Sequence, residues 1–328
     1  MKKCCFIIPY FGKLPNYFQL FLNSCKLNPD FNWLLFTDDR TEYDYPENVK
    51  KIDITFSDIK KYVNGKFGEE VALLRPYKFC DLKPMYGFIF EDYLKGYKSW
   101  GHCDIDTIMG NLSKFITDDM IDSYDKLFTL GHMTIYKNTY ENNRIFMCKH
   151  NGRDLYKDIL HSENNNWFDE EWKDDNNINQ IFKRQRKKVF EEDLSLNIDN
   201  LHNVFLRIKY VGKETAPMTN GYVLEKGKQF VCLWFNGSII RYYKQNGIIV
   251  EEEFPYIHLQ GRKMKCANQI ELCKLYKIIP DAFMPLEIDH ITVDNFNRIL
   301  IKHRCYHIQR IWINKLANKF GYKHKLWK

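Results

Sequence analysis

The first 55 residues alternate between short continuous apolar runs and one stretch of helical periodicity. Cys4 to Ile8 is uniformly apolar and closes in Pro9-Tyr10-Phe11-Gly12, the profile of a strand covered on both faces that turns outward at its carboxyl end. Phe18, Phe21, Leu22 and Cys25 recur at helical spacing and predict a helix over 17–25. Residues 33–37 and 49–54 return to strand-like runs, the former followed by Asp38-Asp39-Arg40. This βαβ order predicts the opening of a doubly wound α/β sheet whose strand ends form a nucleotide crevice.

Residues 67–98 carry Arg75, Lys78, Asp81 and Lys83 within an aromatic and aliphatic pattern of helical type. Such cations could bind phosphate or a sugar, or form an internal ion pair on a solvated face. A strand over 97–103 then delivers Asp104-Ile105-Asp106. Strand-like runs at 126–130 and 133–136 flank Gly131-His132, and 138–163 is helical in part. Residues 164–179 are rich in Asn, Asp and Glu with Trp167, Phe168 and Trp172 interleaved, too polar for a core and suited to the wall of a sugar site or to an acidic surface loop. From about 200 to 258 the pattern becomes antiparallel β, at 205–211, 229–235, 239–243 and 247–252, with Asn236-Gly237 and Asn246-Gly247 as hairpin signals. Residues 1–265 read as one catalytic domain and 266–328 as a helical basic extension.

Composition narrows the class. The 328 residues, 45% hydrophobic, suffice for a large α/β core, and a net charge of +7 is too modest to call for nucleic acid. Ten cysteines lack the paired spacing of a zinc site and several lie in apolar runs, as free thiols of a reducing compartment do. The apolar run after Lys2-Lys3 is broken at Pro9, so no signal peptide is expected, and no stretch is long enough to cross a bilayer. A cytoplasmic protein is expected. Neither G-x-G-x-x-G nor the P-loop motif occurs, against dinucleotide oxidoreductases and P-loop enzymes. Residues 301–328 hold eight Lys or Arg and no acid, with Ile308, Ile311, Trp312, Ile313, Leu316 and Phe320 near helical spacing. That composition suits an anionic membrane surface on the inner face, a docking helix with a basic outer face, or a nucleic-acid patch.

Asp104 and Asp106, two residues apart on a strand end, place both carboxylates on one face while Ile105 points into the sheet. Two hard oxygen ligands leave Mg²⁺ or Mn²⁺ with open positions for a diphosphate. An EF-hand fails, because its glycine position is Met109 and its bidentate-Glu position Phe115. A glycoside hydrolase needs its carboxylates on opposite sides of a bond. Downstream, His258-Leu259-Gln260-Gly261-Arg262-Lys263-Met264-Lys265 combines a possible imidazole ligand, a glycine that lets backbone N–H groups approach an anion, and three cations. A sugar nucleotidyltransferase, or a silent sugar- or nucleic-acid-binding module, remains an alternative.

The motifs resemble bacterial glycosyltransferase-like proteins of polysaccharide gene clusters. The likeness rests on Ile8 to Gly12, Phe36 to Asp39, Arg75 to Pro84, Trp100 to Asp106, Gly110-Asn111-Leu112, Gly131-His132 and His258-Leu259-Gln260, covering residues 4 to about 265. It implies a GT-A fold (Rossmann-like, α/β), a mixed sheet with a C-terminal antiparallel section and a basic helical tail. It also implies a sugar-nucleotide donor, UDP-linked by expectation, with its nucleoside near Pro9, Tyr10 and Asp38, a further contact at Lys78, and its diphosphate bridged through Mn²⁺ or Mg²⁺ to Asp104 and Asp106. The segment at His258 resembles the H-x-x-G-x-x-K element of lipopolysaccharide galactosyltransferases and glycogenin-like enzymes, which implies His258 as third metal ligand and Gly261 with Lys263 or Lys265 on the diphosphate. The lysine position of that element is Met264 here. The implied acceptor is a saccharide or lipid-linked saccharide. An inverting reaction would need a carboxylate base, for which Asp169 and Glu170 are the candidates with Asp174 and Asp175 behind them; a retaining one, toward which the likeness at His258 leans, would need none.

Overall fold

A computed structural model describes residues 2–171, 175–198, 202–227, 229–288, 290–302 and 307–319. The chain forms two compact units, one of Met1–Ile105, Ser113–Asp193 and Lys209–Val223, the other of Asp106–Leu112, Leu194–Ile208 and Leu224–Lys328.

The first unit is built on a seven-stranded mixed sheet. Lys2–Pro9 lies between Phe31–Thr37 and Tyr97–Cys103, parallel to both, and Val49–Asp53 extends the parallel part at one edge. On the other side Met133–Lys137 pairs antiparallel with Tyr97–Cys103, followed by Lys126–Leu127 and Val189–Phe190. The helix Phe18–Lys26 buries Phe18, Phe21, Leu22 and Cys25, the stripe that its sequence spacing predicts. Phe56–Phe67 starts at Thr55, whose hydroxyl accepts the Asp58 N–H at 3.1 Å, and stops at Gly68 with φ +70°. The core of this unit gathers Ile7, Phe36, Val63, Phe79, Tyr86, Trp100, Tyr136 and Phe182. Within it Trp100 stacks on Tyr136 at 4.3 Å and donates to Asn143 Oδ1 at 2.7 Å.

Three expectations change here. The pattern over 67–98 is helical only in short pieces: Pro76–Lys78, Phe79–Leu82, Lys83–Met85, Tyr86–Ile89 and Glu91–Leu94. Pro76 and Pro84 each lack the N–H that a continuous helix would use, and each lies in a 3₁₀ turn. The strand expected over 126–130 ends at Leu127, because Phe128 turns into the left-handed region at φ +68°. The segment at 164–179 is not a purely external loop: Phe168, Asp169 and Glu171 are buried. Trp172 and Asp174 fall outside the described residues.

The second unit holds a six-stranded sheet in the order Ile248–Phe254, Ser238–Gln245, Val231–Phe235, Leu275–Ile279, Ala282–Pro285, Lys265–Cys266. All neighbours are antiparallel except the last pair. Both expected hairpin turns form, with φ +46° and +89° at Asn236-Gly237 and +50° and +79° at Asn246-Gly247, the two left-handed positions of a type I′ turn. Lys265–Cys266, Leu275–Ile279 and Ala282–Pro285 thus enter this sheet as strands, where a helical extension over 266–328 was expected; Tyr276, Ile278 and Phe283 are buried apolar residues that a solvated helix could not cover. Helices follow at Val293–Ile301 and His307–Lys319. The first is capped by a Thr292–Asn295 box, buries Phe296 and Ile299, and ends on Lys277, whose ammonium donates to the carbonyls of Ile299, Leu300 and Lys302 at 2.7, 3.2 and 2.7 Å. In the second, Trp312, Ile313 and Leu316 are exposed. No helix among the described residues is long and apolar enough to cross a membrane.

The described cysteines are free thiols. Burial pushes the thiols of Cys4, Cys25 and Cys103 in the first unit, and of Cys232 in the second, above the usual thiol range.

Gly101, in the strand before the two aspartates, admits no side chain: a Cβ there would stand 2.4 Å from the Thr134 carbonyl oxygen. Gly101→Ala is expected to lower the unfolding free energy by about 1–3 kcal/mol by overpacking. Urea unfolding checks this, and an unchanged midpoint would contradict the close approach.

Candidate functional site

At the carboxyl ends of the parallel strands, Pro9 is in register with Phe36 and the Tyr10 N–H donates to the Phe36 carbonyl at 2.9 Å. The chain then turns at Gly12, φ +95°, whose N–H donates to Asp38 Oδ1 at 2.8 Å. Asp39 beside it accepts from Leu14 and Thr41 N–H groups, each at 2.7 Å. Pro9, Tyr10 and Asp38 are therefore brought together, half-buried, at the edge where an open α/β sheet binds ligands.

Further along the same unit the strand Tyr97–Cys103 stops one residue before Asp104, so the two aspartates occupy a bend between this strand and Thr107–Met109. The alternation survives: Ile105 is 6% exposed, between two less buried carboxylates. Asp104 is held by its N–H to the His132 carbonyl at 2.8 Å. Its Oδ1 is 2.8 Å from the Lys83 ammonium, which also meets Asp169 Oδ2 at 3.2 Å and donates to the Gly131 carbonyl at 2.9 Å. Burial works against the charge on Lys83, but Asp104 and Asp169 outweigh it and hold the ammonium well above the ordinary lysine range. Burial also pushes the Asp169 carboxyl up, Lys83 opposing and Asp104 reinforcing that rise. Gly131 is obligatory here: with φ +81°, its Cβ would come within 2.6 Å of Glu170 Cγ and 2.9 Å of Asp169 Oδ2. Nearby, His132 Nε2 lies 3.2 Å from Asp193 Oδ2, both side chains buried.

In the second unit Tyr256–His258 pairs antiparallel with Thr107–Met109, His258 opposite Thr107. That register sets the imidazole beside Asp106, Nε2 to Oδ1 at 3.5 Å. The other ring nitrogen, Nδ1, is 3.1 Å from Asn197 Oδ1, which also accepts the Ile198 N–H at 2.8 Å. The amide oxygen can only accept, so Nδ1 carries a proton and Nε2 faces Asp106, pairing with it as an imidazolium N–H or, once deprotonated, open to a cation. Two lone-pair atoms at that distance attract only with a proton or a cation between them. Asp106 also accepts the Gly261 N–H, in a turn with φ +50° at Gln260 and +64° at Gly261. Burial raises the Asp106 carboxyl, and His258 with the Gly261 N–H more than offsets it, leaving it below the usual range.

Other expected residues are placed differently. Lys78 is 1% exposed and pairs at 2.8 Å with Asp81, itself 1% exposed, while donating to the Asn164 carbonyl at 2.6 Å. It forms the internal ion pair that the sequence offers as its second reading. The Gly261 N–H is given to the Asp106 carboxylate. Arg262 is turned inward onto the carbonyls of Pro280 and His202, and Lys263 and Lys265 are exposed on either side of buried Met264. Asp169 is buried on Lys83 and Glu170 stands beside Gly131; Asp175 is drawn off to Lys213 at 2.7 Å. Two residues have parts that the sequence reading does not single out, Lys83 being named there only as one of several cations. Lys83 is foreshadowed by a lysine among Leu82, Met85, Tyr86 and Ile89, which demands buried counter-charges. Asn197 carries no local signal.

The chain belongs to a family described as "Family of unknown function (DUF6625)", which matches residues 6–287. Among solved structures it is similar to galactosyltransferase LgtC in complex with donor and acceptor sugar analogs, with 11% identity and a TM-score of 0.34 over 60% of this chain and 76% of that one. An active-site mutant of LgtC is similar over the same shares, with 10% identity and a TM-score of 0.33. No curated protein matches the sequence.

Removing Lys83 would strand two carboxylates. Lys83→Met is expected to cost about 3–5 kcal/mol of stability, and adding Asp169→Leu should recover part of it. Chemical denaturation of the single and double variants tests this; purely additive losses would contradict a shared ammonium.

Proposed function

We propose that this chain is a metal-dependent glycosyltransferase of GT-A type, moving a sugar from a nucleotide-diphosphate donor to a saccharide or lipid-linked saccharide acceptor. The observation that carries the reading is the Asp106–His258 arrangement, an imidazole held at Nδ1 by Asn197 with its Nε2 3.5 Å from a carboxylate two residues after Asp104. The group Asp104, Asp106 and His258 offers two carboxylate oxygens and one imidazole nitrogen, a donor set that fits Mn²⁺ or Mg²⁺. Charge supports the same fit: Lys83 cancels one of the two carboxylates it touches, so the remaining one and Asp106 together balance a divalent ion.

A cation held there would neutralise the charge that gathers on a departing nucleoside diphosphate. The chain's own groups do the rest. Pro9, Tyr10 and Asp38 line the sheet edge that would take the nucleoside, and Lys263 and Lys265, exposed on the strand side after the His258 turn, are the cations left to meet phosphate. Lys83 fixes Asp104 and holds Asp169, which with Glu170 provides the carboxylates for the sugar side of the reaction. Residues 301–328 are proposed to rest on an anionic membrane surface: Trp312, Ile313 and Leu316 are exposed on the helix His307–Lys319, and Lys315 lies over the Trp312 ring at 5.1 Å.

The decisive assay incubates the chain with a panel of sugar nucleotides and Mn²⁺ and follows slow hydrolysis. Release of nucleoside diphosphate that stops on chelation is expected, whereas pyrophosphate release would indicate nucleotidyl transfer instead. Asp104→Asn with Asp106→Asn should abolish calorimetric Mn²⁺-dependent donor binding. Asn197→Ala should weaken Mn²⁺ binding by about 10–100-fold through loss of the imidazole's orienting partner; wild-type affinity in that variant would remove His258 from the ligand set.

For the tail, removal of residues 307–328 is expected to reduce co-sedimentation with anionic liposomes, and equal sedimentation of both forms would reject the membrane contact.

A further inference from the structure

Asp169 and Glu170 sit on a strip of chain that is tied down on both sides by groups distant in sequence. Upstream, Asp81 accepts the N–H groups of Asn166, at 2.9 and 3.0 Å to its two oxygens, and of Trp167 at 3.0 Å. Downstream the tie is Glu171. Its N–H donates to the Thr129 carbonyl at 3.0 Å, and its carbonyl accepts the Asn220 side-chain amide. Its fully buried carboxylate accepts from Gln180 and meets the ammonium of Lys213 at 3.3 Å and that of Lys183 at 3.9 Å. Glu170, one peptide bond before it, faces Leu130 in an isolated β-bridge.

Two of these partners, Lys213 and Asn220, come from one hairpin. Residues 209–223 belong to the first unit, although the chain on either side of them belongs to the second. Ile208–Tyr210 and Tyr222–Leu224 make a two-stranded sheet. The hairpin is stiff in itself: the Val211 N–H donates to the Gly221 carbonyl at 2.7 Å, the Gly221 N–H to the Ala216 carbonyl at 2.8 Å, and the Tyr210 and Tyr222 rings meet at 5.1 Å. Polar groups fasten it down. Tyr222 Oη hydrogen-bonds Thr129 Oγ1 and donates to the Glu191 carbonyl at 2.6 Å, and Lys213 reaches Asp175 at 2.7 Å besides Glu171. Met218, in the turn Pro217–Thr219, is 91% exposed.

A carboxylate away from water is tolerable only with its charge balanced and its lone pairs used. Burial pushes the Glu171 carboxyl up, and Lys183 and Lys213 oppose that rise. The hairpin thus supplies part of what Glu171 needs in order to stay where it is, and Glu171 fixes the residue next to it. A shift of about 1 Å in a group that meets a reacting atom can cost about 100-fold in rate.

We propose that the hairpin 209–223 braces the acidic turn, with Lys213 and Asn220 acting through Glu171 as positioning residues that hold Asp169 and Glu170 in place for the sugar. The use of that geometry in sugar transfer rests on the transferase reading; the brace itself does not.

Asn220→Gly tests the amide, because Asn220 has φ +51° and glycine keeps that backbone without strain. Lys213→Met keeps the side-chain stem and removes the charge, and Met218→Ser is the control on the same hairpin. The Glu170 and Glu171 amides donate to the Trp167 and Thr129 carbonyls, so their hydrogen exchange reports the turn directly. It should quicken about tenfold in both brace variants, while exchange in the helix Phe18–Lys26 stays unchanged; a global loss of stability would move both. In slow hydrolysis of a sugar nucleotide with Mn²⁺, kcat should fall about 10–100-fold with KM held within about twofold, and the control should match the wild type. Unchanged exchange of the two amides in both variants would overturn the brace, and quickened exchange with unchanged kcat would overturn the positioning role. A wild type that releases no nucleoside diphosphate would reject the transferase reading, and the exchange rates would then uphold or overturn the brace by themselves.

Discussion

One ammonium group, that of Lys83, sets the terms for much of the first unit. It lies where water cannot reach freely and meets two carboxylates and a carbonyl. A charge in such a place is tolerable only with its partners in reach, and each partner then restricts its surroundings. Asp104 must leave its strand at a fixed point. Residue 131 must be a glycine so that Asp169 and Glu170 can close in. The polar segment around Phe168 must come inside rather than drift in solvent.

The second unit solves a similar problem by different means. Asp106 is held by a backbone N–H and an imidazole, and the imidazole is oriented by an amide whose oxygen also accepts the Ile198 N–H. One carboxylate of the D-x-D pair is thus steadied by a lysine ammonium and the other by an imidazole and a backbone N–H. The first is tolerant of small shifts, since Coulomb attraction falls slowly with distance; the second depends on angles, since hydrogen bonds do not.

Local pattern was enough to read the parallel strands, the helix after the first strand and both Asn-Gly hairpins. Each of these is decided by neighbours within a few positions. The misreadings share a cause, which is a partner far away in sequence. Lys78 looks like an exposed cation until Asp81 and Asn164 enclose it. The stretch 164–171 looks like surface until Lys83 and Asp81 draw it in. Leu275–Ile279 looks like part of a tail until it pairs with Val231–Phe235. Asn197 gains its role only from a residue 61 positions on, its Oδ1 meeting His258 Nδ1.

The buried thiols have a consequence for how the molecule can be watched. A thiol reacts as its thiolate, and burial suppresses that form at Cys4, Cys25 and Cys103 as well as at Cys232. Alkylation of these positions must therefore wait for local or global opening, in the way that amide exchange does. Because the first three lie in one sheet unit and Cys232 in the other, residue-resolved labelling rates would act as two separate clocks, one for each unit, with no engineered probe in either.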